Sequence, residues 1–277
     1  MPTQARGRRM TILLLILCLL FAAAAVVYLV RSTGTSPTSQ ADARTELVIS
    51  AAASLKDGLE ALKPRFEEAY PSIRLTFNYG SSGALQKQIE QGAPADLFLS
   101  AGTQQIEALR KRALIKESVT LLGNELVVVV PKDDATVKTL DGLGNLADER
   151  YRVIAVGQPE TVPAGQYAKE ALEATGIWGT IADRLVFAKD VRQALAYAET
   201  GNADAALVYA TDAAASSQAV IALRIDSGLH APIVYPAALL AESDHPNEAA
   251  IFYKYLKSAE AAESFASFGF LPAAGAR

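Results

Sequence analysis

The chain has 277 residues, 51% of them from the set Ala, Val, Ile, Leu, Met, Phe, Trp, Tyr and Cys and 20% charged, which is too apolar and too weakly charged for a disordered chain or a coiled coil. One cysteine, Cys18, excludes an internal disulfide framework and a cysteine-based zinc site, and two histidines, His230 and His245, leave little for a histidine metal centre. The net charge of −4 becomes −8 once residues 1–45 are set aside, since they hold five arginines and one aspartate, and a field of that sign attracts neither nucleic acid nor an anionic membrane surface.

Arg6, Arg8 and Arg9 precede an uncharged run of 21 residues, 10–30, apolar throughout except for Thr11 and closed by Arg31. About 20 residues cross a hydrocarbon core as a helix, and the arginines orient the N-terminus to the cytoplasm and the remaining chain outward. A retained anchor over 1–31 is one reading. A removed signal segment is the other, with Ala23-Ala24-Ala25 or Ala41-Asp42-Ala43 as the small-x-small site. Cys18 follows Leu17, which argues against lipid attachment there. Residues 32–45 are small and polar and read as a linker. Under either reading the protein is exported, periplasmic or extracytoplasmic, with a tether at 10–30 in the first case.

From Glu46 onward short apolar runs alternate with segments of helical period. The first strand is 47–50; Leu55, Leu59, Leu62, Phe66 and Ala69 then recur at helical spacing, with Pro64 as a point of kinking or interruption. Further strands are expected at 73–77, 97–99, 126–130, 151–156, 185–188, 205–209, 220–225 and 233–240. Helices are expected at 84–91, 103–113, 163–175, 191–200, 246–258 and 259–268. The wholly apolar run 126–130 fits a sheet covered on both faces. This alternation is α/β grammar.

In open α/β sheets ligands sit beyond the carboxyl ends of strands, and here those junctions carry small residues and hydroxyls. Ser54, in Ala51-Ala52-Ala53-Ser54-Leu55, reads alone as a helix N-cap. Tyr79-Gly80-Ser81-Ser82-Gly83 is a loop whose serines have room to face a cleft. Pro163 suits the first position of a helix, leaving the Ala164 N–H available to an anion. Asp190 reads as the cap of the next helix, which begins at Val191, and Tyr209 closes a strand at the same sheet edge. Each signal is weak; their recurrence in both halves of the chain points to an anion site.

Together the segments Ala51–Leu55, Gly92–Phe98 (GAPADLF), Leu121–Asn124 (LLGN), Val162–Leu172 (VPAGQYAKEAL) and Asp190–Leu195 (DVRQAL) resemble the molybdate-binding proteins of bacterial ABC importers, in order over about 46–270. The resemblance implies a type II periplasmic binding protein fold. That is two α/β lobes, each with a mixed five-stranded sheet, joined by two crossover strands near 122–124 and 232–235. Lobe 1 would comprise 46–123 and 233–277, and lobe 2 would comprise 124–232. It further implies no catalysis and no cofactor, a molybdate or tungstate ligand, an inner-membrane permease as partner and a monomeric state. The ligand set it implies is Ser54, Ser82, the backbone N–H groups of Ala164 and Val191, and the Tyr209 hydroxyl, with molybdenum bound only as its oxyanion. Gly83 departs from relatives that carry a small hydroxyl residue there.

Such a site holds a dianion by directed donors in place of counter-charge, because burying the ion costs heavily unless its oxygens are hydrogen-bonded. Three other readings compete. A binding protein for another tetrahedral oxyanion such as sulfate needs only a different donor spacing. A ligand-sensing domain shares the fold without transport. A hydrolase using Ser54 or Ser82 needs an activating base, and neither histidine lies in a motif that supplies one.

Overall fold

The computed structural model describes residues 44–133 and 139–273. The apolar run at 10–30, with its anchor and signal readings, lies outside the described residues. Among those described, no helix is long and apolar enough to cross a membrane.

In chain order the elements are β1 (Thr45–Ala52), α1 (Lys56–Ala69), β2 (Ile73–Gly80), α2 (Ser82–Glu90), β3 (Leu97–Leu99), α3 (Thr103–Lys111), β4 (Ile115–Gly123), β5 (Leu126–Pro131), β6 (Ile154–Gly157), α4 (Pro163–Ala174), β7 (Leu185–Ala188), α5 (Val191–Glu199), β8 (Ala205–Tyr209), α6 (Ala210–Ala214), β9 (Ala219–Arg224), β10 (Val234–Leu240), α7 (Pro246–Leu256), α8 (Ala259–Ser267) and β11 (Leu271–Pro272). They form two mixed sheets. The first has the order β11-β4-β10-β3-β1-β2 and the second β7-β6-β8-β5-β9. The chain passes from the first to the second between β4 and β5 and returns between β9 and β10.

Within the first sheet β1 runs parallel to β2 and β3, while β10 is antiparallel to β3 and β4. In the second, β6 runs parallel to β7 and β8, and β5 is antiparallel to β8 and β9. Each sheet therefore gathers three parallel carboxyl ends at one edge. Those of β1, β2 and β3 lead to Ser54, Ser82 and Ala101; those of β6, β7 and β8 lead to Ala164, Val191 and Tyr209.

β5 is the core of the second sheet. Leu126 and Val127 to Val130 are fully buried, each apolar side chain contributing roughly 1.5–3 kcal/mol on burial. The end of β6 also fixes where α4 begins. A Cβ at Gly165 would lie 1.9 Å from the Gly157 carbonyl oxygen, so only glycine lets the first turn of α4 press against that strand end.

Four local expectations are corrected. The first sheet has six strands, because the two-residue β11 pairs with β4. β4 itself was not expected; its sequence IKESVTLLG mixes charged and apolar residues, and most of it is only half-buried or exposed. The strand expected at 151–156 begins at Ile154, because the Arg152 and Val153 N–H groups instead donate to Asp204 Oδ2 at 2.8 and 2.9 Å. Pro64 is accommodated inside α1, which continues to Ala69.

Candidate functional site

Ser54 does not cap a helix. It lies in a 3₁₀ turn, Ala53–Leu55, the following α1 has Leu55 at its N-cap position, and no side chain caps it. The hydroxyl turns elsewhere: Ser54 Oγ is 3.1 Å from Tyr235 Oη, and both side chains are buried. In the serine pair, Ser81 is the cap, its Oγ accepting from the Ala84 N–H at 3.4 Å. Ser82 opens α2, is fully buried, and accepts the Ala101 N–H at 3.0 Å.

The second lobe contributes from helix starts. Ala164 is the second residue of α4 and Val191 the first of α5, positions whose N–H groups have no intrahelical partner. Asp190 caps α5, its Oδ1 accepting from the Gln193 N–H at 2.8 Å. Tyr209 ends β8. Its ring meets that of Tyr235 edge-on at 5.8 Å, and burial, reinforced by Tyr235, Tyr167 and Asp212, holds its hydroxyl well above the ordinary phenol range. Tyr235 acts on it by charge and by a weak hydrogen bond, although among the described residues no group meets full hydrogen-bond geometry at Tyr209 Oη.

Ser54, Ser82, Ala164, Val191 and Tyr209 all line one cavity of about 10 Å³ at the facing sheet edges, about the smallest space that accommodates a water molecule. None of the described lining residues is Lys, Arg or His. The walls are drawn together by contacts between the lobes. The Gly83 N–H donates to the Thr161 carbonyl at 2.9 Å, and a Cβ at Gly83 would lie 2.6 Å from that oxygen. Arg192, beside Val191, is ion-paired with Asp57 of α1 and with the fully buried Asp212 of α6. Burial pushes the Asp212 carboxyl up to about 7 while Arg192 pulls it down.

Sequence reasoning missed Arg192, Asp57, Asp212, and the roles of Asn124 and Tyr235. Arg192 stands within DVRQAL and Asn124 within LLGN, so both segments were visible, but the partners they reach are distant in the chain. The histidines lie away from the cavity: His230 Nδ1 is 2.8 Å from the Ala231 carbonyl, and His245 precedes α7. Among the described residues no cluster of His, Cys, Asp and Glu is arranged to hold a metal ion.

Residues 47–271 match the family of bacterial extracellular solute-binding proteins. The chain belongs to that family. Its members bind solutes and are not enzymes. YvgL of Bacillus subtilis (strain 168), a candidate ABC transporter substrate-binding lipoprotein, is 44% identical over 255 residues, covering 91% of this chain and 96% of its own. The molybdate-binding protein ModA of Escherichia coli (strain K12) is 38% identical over 231 residues, covering 81% and 88%. The structure of the periplasmic molybdate-binding protein of Azotobacter vinelandii superposes with a TM-score of 0.72 at 25% identity, covering 81% of this chain and 98% of that one.

Proposed function

We propose that this solute-binding protein is the extracytoplasmic component of an ABC importer, and that it binds molybdate, and tungstate with it, between its two lobes. The observation that carries the reading is the convergence of neutral donors from both sheets on one cavity without a lining cation. Hydroxyls of Ser54, Ser82 and Tyr209 and the N–H groups of Ala164 and Val191 would hold the oxyanion, and the starts of α4 and α5 add favourable partial charge. Arg192 stands close by, but its charge is engaged by Asp57 and Asp212. The names of the Escherichia coli and Azotobacter vinelandii relatives support the same ligand.

A five-atom oxyanion needs more than about 10 Å³, so it enters with the lobes further apart and closure follows its capture. The protein then delivers the ion as a monomer to an inner-membrane permease, which reads the closed shape. Export places it outside the cytoplasmic membrane, with 10–30 as a tether if retained.

Thermal unfolding with molybdate, tungstate, sulfate and phosphate at equal concentration tests this. Ligand at about 100 times Kd adds roughly 2.7 kcal/mol of stability. Molybdate and tungstate are expected to raise Tm and the other two are not. An equal or larger shift with sulfate would move the assignment to sulfate.

A further inference from the structure

Asn124 and Tyr235 stand behind the cavity wall without lining it. Asn124 follows β4 on the outgoing crossover, and Tyr235 lies in β10 on the returning one. The Glu125 N–H donates to Asn124 Oδ1 at 2.9 Å, which fixes the amide with its nitrogen turned the other way. Asn124 Nδ2 then donates to Thr211 Oγ1 at 2.8 Å and to Tyr235 Oη at 3.1 Å. An amide nitrogen can only donate, so Tyr235 Oη accepts there and its single proton is left to give. The hydroxyl in bonding distance is Ser54 Oγ, at 3.1 Å. Having accepted that proton, Ser54 has its own free to donate into the cavity. Ser82 is ordered by a different route, its Oγ accepting the Ala101 N–H.

We propose that Asn124 and Tyr235 are positioning residues that set the proton order of the site, holding Ser54 as a donor so that the cavity takes fully deprotonated tetrahedral oxyanions and disfavours those of the same size that carry a proton. The proposal rests on the oxyanion reading above. A proton on the ligand oxygen facing Ser54 would meet the Ser54 proton, and the serine could accept it only by giving up its bond to Tyr235. In a buried site an unmade bond costs far more than in water, so a relay with one permitted direction discriminates by proton content at the oxygen facing Ser54, while Asp190, the one carboxylate of the lining, has its Oδ1 engaged as the cap of α5.

The test uses the size-matched dianions sulfate and hydrogenphosphate at about pH 8.5, where phosphate is almost wholly HPO4²⁻ and the two differ by one proton at equal charge, each displacing molybdate from the full chain. Wild type is expected to favour sulfate at least tenfold. Tyr235→Phe keeps the ring against Phe270, 5.3 Å away, and removes only the hydroxyl. Molybdate and sulfate affinities should then fall about 2- to 10-fold, the worth of one net hydrogen bond. Hydrogenphosphate should not fall, so the sulfate preference narrows by that factor. Asn124→Asp puts an acceptor where the donor stood, draws the Tyr235 proton away from Ser54, and should narrow the preference in the same direction; it carries the test if the phenylalanine variant does not fold. Uniform weakening of all three anions, or no change, overturns the proposal while leaving the oxyanion reading in place. Sulfate and hydrogenphosphate are taken to concentrations far above that of molybdate; a wild type from which neither displaces molybdate overturns the proposal alone, and one that binds none of the three overturns both.

Discussion

Arg192 Nε lies 2.6 Å from Oδ1 of the fully buried Asp212, and the same guanidinium reaches Asp57 on the opposite lobe. One cation thus ties a buried carboxylate of α6 to the first turn of α1. Burial works against the Arg192 charge, but Asp212 and Asp57 more than offset it and raise its affinity for the proton. Because Arg192 follows Val191 directly, the tie holds the start of α5 toward the serines of the first lobe.

Breaking the Asp57 end should loosen closure without harming the fold. Asp57 and Arg192 keep side-chain exposures of 39% and 27%, and ion pairs near a surface contribute about 0.2–1 kcal/mol. Asp57→Asn is therefore expected to weaken molybdate binding about 2- to 5-fold, mainly through faster release. Stopped-flow displacement and a melting curve separate the two effects. An unchanged release rate would show that the tie plays no part in closure.

The Tyr209 hydroxyl offers the cleanest single donor. Its only internal hydrogen-bonding contact among the described residues is the weak one to Tyr235, so Tyr209→Phe has little internal bonding to lose. A charge-assisted bond to a buried dianion is worth about 1.5–3 kcal/mol, and its loss should lower molybdate affinity about 10- to 150-fold at unchanged Tm. Calorimetric titration checks this. Wild-type affinity in the variant would remove Tyr209 from the ligand set.

How far the sequence could be read depends on whether the deciding contact is local. Val127 to Val130 announce β5 because a covered strand must be apolar along its whole length. β4 carries no such signature, since its outer neighbour is only the two-residue β11 and water reaches much of it. Ser54 read alone as a cap is a local reading, and it fails for a non-local reason: the hydroxyl is turned to Tyr235, 181 residues away. Arg192 and Asp57 are separated by 135 residues, and no spacing rule reaches that far. What made the ligand set legible was the resemblance of several segments at once, not the chemistry of any one of them.

Asp212 gives a pH signature whose sign is fixed by its environment. Its carboxyl is raised from 3.8 to about 7, first by burial, with Arg192 acting in the opposite direction. Between those values the folded protein holds a proton that the unfolded chain releases. This group's contribution is therefore fully present below about 4, is lost as pH rises to about 7, and is level above that. At about 1.4 kcal/mol per unit, the relative loss amounts to a few kcal/mol. Asp212→Asn should remove this fall, so the Tm difference between variant and wild type should grow in the variant's favour from pH 4 to 7. Parallel Tm profiles across that window would show that Asp212 stays ionised in the fold.

Gly83 separates closure from folding. Its N–H bonds Thr161 across the cleft at 2.9 Å, and a methyl group there would lie 2.6 Å from the Thr161 oxygen and 2.7 Å from its Cα. Both neighbours are backbone, so neither can swing aside. With the lobes apart the same methyl group meets no such obstacle, and within α2 alanine is favoured over glycine by about 1 kcal/mol. Gly83→Ala is therefore expected to keep or slightly raise the Tm of the free protein while shrinking the molybdate-induced rise, with affinity falling tenfold or more. Small-angle scattering should show the radius of gyration of the variant unchanged by molybdate where that of wild type contracts. If Gly83→Ala binds and contracts like wild type, the Gly83–Thr161 contact is not part of the closed, ligand-holding state.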